Sequence, residues 1–306
     1  MEKKTIMIDY GNKTSSGMHE FLELASKRDC VFPAFNIRNT KVIAFCNKLM
    51  KLGMPKFYHI ILSDWKNKLS NVGTVVITAN YLTVGIVKYL NKYYPNINVH
   101  IFYFNIIEKD VPIDRFYGLN CTLWSFDKDD VEKYNMNYSP TPTCFENFIS
   151  KDTKYSSTKY DVFFLGVDKG RLSRLLDIRK NFVENKVSVE YHIVDVFGEG
   201  NNNNFEYSSF ISYHQYLEKA KNAKALLEIK QENQNGNTLR PVEAGFMKKK
   251  LITDDESIKK EPFYRKENTY ILGESRDIYK FINTIPYDDS FDYNQYDIEK
   301  WLKQFN

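Results

Sequence analysis

Short apolar runs alternate along this chain with stretches in which apolar residues recur every three to four positions. Residues 5–10 read as a buried strand, followed by the loop GNKTSSG and by MHEFLELASKR, whose apolar spacing is helical. Helical spacing returns over 42–52, TVVIT at 74–78 reads as a strand, and 81–94 reads as a helix stopped by Pro95. VHIFYF (99–104) and LNCTLWSF (119–126) follow as strands, the second leaving into the acidic string DKDD, Asp127 to Asp130. Strands alternating with helices predict a parallel sheet covered on both faces.

Between 138 and 159 the strings YSPTPTCF and KDTKYSSTK lose apolar periodicity, which marks a boundary. The alternation then restarts with a strand, YDVFFLG (160–166), a helix over 171–185 and a strand over 187–196, before the polar tract GEGNNNN. A short strand at 210–213, a helix over 214–223, a strand at 225–229, the string NGNTLRPVEA, a helix to 249 and the strand KLIT come next. Near the end, Ile298, Trp301, Leu302 and Phe305 share one helical face. The expected fold class is therefore α/β, with two Rossmann-like domains at 1–155 and 156–290. Residues 291–306 are expected to close either their own domain or the first. Two such halves facing across a cleft would present the carboxyl ends of their sheets to a ligand.

Composition narrows the function classes. The 306 residues carry 43 basic and 39 acidic side chains, a net charge of +4 too balanced for a protein that coats nucleic acid. The four cysteines lie far apart with no C-x-x-C pair, which suggests neither a zinc site nor a disulfide framework and fits a reducing cytoplasm. No run approaches the roughly 18 apolar residues of a membrane span, and the start lacks a signal-like apolar core. Residues 48–69 mix five lysines with Leu, Met, Phe and Trp65. Such a surface suits the inner face of an anionic cell membrane, as well as a core helix with solvated lysines. With 22 Tyr and 22 Phe, the aromatic content suits a homodimer surface as well as a core.

Candidate chemistry concentrates in the second half. In FLGVDKGR an apolar strand ends at Gly166, and Lys169 and Arg171 follow just as a helix begins, an arrangement suited to an anion or to an ordinary basic turn. In QNGNTLRPVEA, Asn235-Gly236 makes a turn and Gly236 allows close approach. Thr238 can cap a helix that Pro241 helps begin, with Arg240 at its positive end and Glu243 a turn further in. The alternative is a cap, a surface charge and a first-turn acid. In the first half, Asp9 and His19 flank the GNKTSSG loop and are the candidate general bases, each open to a structural role.

Taken in order, FLGVDKGR, HIVDV, ISYHQYLEKAKNAKALLEI, QNGNTLRPVEA and KKLIT resemble the donor domain of GT-B glycosyltransferases of bacterial surface-polysaccharide synthesis. The first half is similar only in its strand–helix alternation, WSFDKDD included. The resemblance implies a metal-independent hexosyltransferase with no cofactor, using a nucleotide-diphosphate sugar and a glycan acceptor carried on lipid. It places Lys169 and Arg171 near the diphosphate, Thr238 on the phosphate, Glu243 on the ribose and Tyr213 beside the base. Where many retaining members have the first Glu of a Glu-X7-Glu pattern, this chain has Asn235, with Glu232 nearby, which leaves retention or inversion open. DKDD is read as a solvated turn and no metal is assigned. A nucleotide-sugar epimerase is the second reading, and a degenerate, non-catalytic glycan- or protein-binding module the third. Neither half shows the G-x-G-x-x-G of a dinucleotide oxidoreductase.

Overall fold

The computed structural model describes residues 3–10, 28–107, 111–144, 158–195, 205–230 and 238–306. Their contacts divide into two compact units. The first holds the described residues up to Cys144 together with Gln295–Asn306, and the second holds 158–230 and Thr238–Asn294. His19, Asn235, Gly236 and the GNKTSSG loop lie outside the described residues.

The first unit is a six-stranded, wholly parallel sheet in the order β2-β1-β3-β4-β5-β6. Its strands are β1 (Lys4–Asp9), β2 (Val31–Pro33), β3 (Val72–Thr78), β4 (Asn98–Tyr103), β5 (Thr122–Ser125) and β6 (Asn137–Tyr138). Successive side chains point to opposite faces, and both faces are covered, so the inner strands are apolar almost throughout. Ile6, Ile8, Val75, Ile77 and Ile101 face one core, which Ile43, Tyr58, Trp65 and Ile86 complete. These come from the helices α1 (Thr40–Lys51), α2 (Pro55–Ile61) and α3 (Val84–Tyr93) and a 3-10 turn, Asp64–Asn71. The opposite face carries Phe102 and Trp124, against which the C-terminal segment lays Trp301, 5.0 Å from Phe102, and Phe305, 4.8 Å from Trp124. The Trp301 indole donates to Ser139 Oγ and the Pro140 carbonyl, both at 2.8 Å, which satisfies its buried N–H.

The acidic string DKDD is a helix start rather than a solvated turn. Asp127 accepts from the Asp129 and Asp130 amides at the head of α4 (Lys128–Tyr134), and Asp130 takes the Ile107 N–H at 2.9 Å.

The second unit is a five-stranded parallel sheet, β11-β10-β9-β7-β8. Its strands are β7 (Tyr160–Val167), β8 (Val189–Val194), β9 (Ala223–Glu228), β10 (Lys250–Thr253) and β11 (Thr269–Ile271), with α5 (Leu172–Glu184), α6 (Tyr213–Lys221), α7 (Arg240–Phe246) and α8 (Ile278–Asn283) as its helices. The segment expected as a strand at 210–213 is instead the entry to α6. Ser212 and Gln215 form a reciprocal capping box, which draws Tyr213 into the first turn.

At the amino end of β7, Asp161 is tied down by Ser188 N–H at 2.8 Å and Lys224 Nζ at 2.8 Å. Burial pushes its carboxyl up, but the hydrogen bonds from Lys224 and Ser188 outweigh that and hold it below its ordinary 3.8. Such a group stabilises the fold above the unfolded value, and that contribution is lost as pH falls through the lower folded value. Asp161→Asn is therefore expected to cost about 1–3 kcal/mol at neutral pH. Urea titrations across pH should show the wild-type advantage shrinking below about pH 4; an advantage independent of pH contradicts this assignment.

Candidate functional site

The order of the second sheet puts its topological switch point between β7 and β9, because the chain runs from β7 to one side for β8 and crosses to the other for β9. The two strands pair at Tyr160↔Ala223, Val162↔Ala225 and Phe163↔Leu226, whereas β7 stays paired with β8 through Val167↔Val194. Beyond Phe163 and Leu226, two guanidinium groups stand between the strands. Arg240 donates through Nη2 to the Leu165 carbonyl at 2.5 Å and through Nη1 to the Leu227 carbonyl at 2.9 Å. Two residues further along, Arg171 donates to the carbonyls of Val167, at 2.6 Å, and Ile229, and its Nε reaches the Asp168 carbonyl at 3.2 Å. Each arginine thus replaces a missing ladder bond by bridging one strand to the other.

Phe164 and Tyr216 fix the Arg240 head from either side of the sheet, their ring centroids 5.5 and 5.8 Å from its guanidinium carbon. Part of the Arg240 residue reaches solvent, while its head is set deep among these rings and carbonyls. Burial alone would lower its pKa, but Tyr216 and the carboxylates of Glu243 and Glu228 raise it, so the charge is held. Arg171 also lies over Phe164, at 5.8 Å, and Asp254, Asp168 and Glu228 only partly offset what lowers its pKa. Burial and the positive charge of Arg240 push it down to about 10.

Glu243, only 2% exposed, accepts from the hydroxyl of Tyr213 at one carboxylate oxygen and from Tyr216, at 2.5 Å, at the other. Both oxygens of the residue that the resemblance places on the ribose are thus hydrogen-bonded within the core. Burial pushes its pKa up, against the pull of the tyrosine hydroxyls and Arg240. Tyr213, buried with its hydroxyl on Glu243, anchors that carboxylate.

Thr238 donates its hydroxyl to the buried Glu228 and accepts the Arg240 N–H at 3.2 Å, so it links the end of β9 to the head of α7. Gly166 lies inside β7, where an added Cβ would stand 3.3 Å from Arg171 Nη2; a side chain there would crowd the guanidinium. Asp168 accepts the Leu172 N–H at 2.8 Å at the head of α5, and its other oxygen accepts the Tyr207 hydroxyl at 2.6 Å. Lys169 and Gly170 follow with φ of 47° and 79°, a left-handed pair that turns the chain into α5 and leaves Lys169 exposed. Gly166, Arg171, Thr238, Arg240 and Glu243 are thus gathered at the carboxyl ends of β7 and β9. In the first unit, Asp9 is buried at the carboxyl end of β1.

Sequence reasoning missed Phe164, Tyr216 and Glu228. The only available signal was the glutamate closing the aliphatic strand AKALLE, a polar residue at a buried position that must find a partner. Among the described residues, no group of three or more His, Cys, Asp or Glu side chains is placed to hold a metal ion.

No protein-family model matches the sequence, and no curated protein does. Solved structures do match in fold. The apo lipopolysaccharide outer core galactosyltransferase WaaB aligns over 99% of this chain and 98% of its own, at 14% identity and a TM-score of 0.53. The catalytic domain of starch synthase IV from Arabidopsis thaliana, bound to ADP and acarbose, aligns over 99% and 94%, at 6% identity and 0.54. A UDP-GlcNAc 2-epimerase from Neisseria meningitidis, bound to UDP-GlcNAc, aligns over 98% and 99% at 8% identity, with a TM-score of 0.46. The fold is that of the GT-B glycosyltransferases, two Rossmann-like domains each built on a parallel sheet; at these identities the likeness is one of fold.

Proposed function

We propose that this protein is a glycosyltransferase that moves a hexosyl group from a nucleotide-diphosphate sugar to a lipid-linked glycan acceptor, at a membrane surface, in polysaccharide synthesis. The observation that carries the reading is the pair of guanidinium groups between β7 and β9, at the place where open parallel sheets take their ligands. Arg240 is the fixed cation that props the strands apart. Arg171 lies nearer the strand ends, and its depressed pKa marks a cation that gains from an arriving anion. The fold it shares with WaaB and with the ADP-bound starch synthase supports the same reading.

In the proposed reaction the acceptor hydroxyl gives up its proton to a general base and attacks the anomeric carbon. The bond to the donor diphosphate breaks, and the negative charge leaves with the diphosphate. Arg171, Lys169 and the Thr238 segment would stabilise that charge without a metal, because preorganised cations need little rearrangement as charge develops. Asp9 and His19 are the candidate bases. Among the described residues no helix is long and apolar enough to cross a membrane, so contact with a lipid-borne acceptor would be peripheral.

A panel of nucleoside diphosphates tests this. The cognate one, at about a hundred times its Kd, should add about 2.7 kcal/mol of stability and raise the Tm by several degrees. Incubation of the matching sugar nucleotide should then give a glycosylated product only when acceptor is present. A donor converted to its epimer without acceptor, or a panel with no thermal effect, overturns the proposal.

A further inference from the structure

Of thirteen large hydrophobic residues left exposed among the described residues, six fall between 42 and 60, which makes a patch rather than a scatter. On α1, Ile43 and Cys46 point into the sheet core while Val42 and Phe45 point away, and Leu52 follows the helix; Phe45 is 60% exposed and Leu52 73%. On the adjoining α2, Tyr58 and Ile61 are buried while Phe57 and Ile60, the latter 63% exposed, face out. Both helices therefore carry a second apolar face that the sheet does not use.

The charge around that face is one-sided. From Val31 to Ser63 the sequence has Arg38, Lys41, Lys48, Lys51 and Lys56 and no aspartate or glutamate. Lys41, Lys48 and Lys56 are exposed on the same two helices as the apolar residues. A second copy of this chain would bring like charge against like charge. A sheet of anionic headgroups over acyl chains matches both the cations and the apolar residues between them.

We propose that the α1–α2 face is a docking surface for an anionic lipid bilayer. The lysines lie on the headgroups, and Phe45, Leu52, Phe57 and Ile60 enter shallowly at the acyl boundary. The position of the face within the first unit gives it a use. The end of α2 is tied to the segment after β2 by the Asn36 N–H on the Ile61 carbonyl, at 2.9 Å, and by the bridge of Phe35 with Leu62. Docking thus holds the carboxyl edge of the first parallel sheet, near the ends of β1 and β2, close to the membrane plane. The docking stands on its own; its link to a lipid-borne acceptor rests on the proposed glycosyl transfer.

Sedimentation of the full chain with vesicles tests it, using phosphatidylcholine alone or mixed with phosphatidylglycerol. The protein should pellet with the anionic vesicles at low salt and be released as salt rises. Combining Lys41→Glu, Lys48→Glu and Lys56→Glu should weaken binding by about 100-fold or more, since each lysine near such a surface contributes about fivefold. Combining Phe45→Ser, Phe57→Ser and Ile60→Ser should weaken it by at least about tenfold. All six positions are exposed, and unchanged thermal unfolding verifies the fold. Protein left in the supernatant, equal binding to neutral vesicles, or full binding by both triple variants overturns the proposal. So does a wild-type dimer that the serine variant dissociates without any dependence on lipid. Nucleotide protection is read in the same samples: lipid binding without it would defeat the transferase reading and leave the docking surface standing.

Discussion

Replacing Arg240 with methionine is expected to destabilise the second unit by about 3 kcal/mol or more, the range for removing one partner of a buried charged network. The change leaves the carbonyls of Leu165 and Leu227 without their donors, and it removes the cation that faces Glu243 and Glu228. Methionine fills much of the volume between Phe164 and Tyr216, so the loss reports the guanidinium rather than a cavity. Lysine is expected to fare little better, because one ammonium lacks the planar fork that reaches a strand on either side. Urea unfolding measures the effect, and a change within about 0.5 kcal/mol, the range of an ordinary surface substitution, would show that the Arg240 head is solvated.

The second large effect is on binding. Arg171→Met should lower affinity for the cognate nucleoside diphosphate by about 30-fold or more, roughly 2 kcal/mol, as expected when one partner of a hydrogen-bonded charge pair is cut back. Its cost to folding should be smaller than that of Arg240, because Arg171 lies at the strand ends and its guanidinium is less deeply buried than that of Arg240. Calorimetric titration separates the two arginines: Arg240 variants lose stability first, while the Arg171 variant stays folded and loses the ligand. Unchanged affinity in the Arg171 variant would detach the pair of guanidinium groups between β7 and β9 from nucleotide binding.

The difference between these arginines was not legible in the sequence. The alternation of strands and helices gave the parallel sheets, and FLGVDKGR and NTLRPVEA correctly pointed to neighbouring strand ends, because strand–turn–helix order alone dictates which end of a sheet a residue reaches. What spacing leaves out is where a long side chain ends. The carbonyls that receive Arg240 become available only because β7 and β9 part after Phe163 and Leu226, a tertiary feature. The same holds for Glu243, whose partners Tyr213 and Tyr216 lie on a different helix. Tyr213 itself was misplaced because ISY looks strand-like, although Ser212 and Gln215 already spelled a capping box. The three-residue strands β2 and β11 are too short to carry a periodic signal. Arg240 and Glu243 are both set inward, the one held by the Leu165 and Leu227 carbonyls and the other by the Tyr213 and Tyr216 hydroxyls.

A structure of the protein bound to its cognate nucleoside diphosphate bears most directly on that account. The diphosphate should lie over the carboxyl ends of β7 and β9, within hydrogen-bond reach of Arg171, with Arg240 still bridging Leu165 and Leu227 beneath it. A nucleotide bound elsewhere on the second unit, with Arg171 unmoved and out of reach, would contradict it.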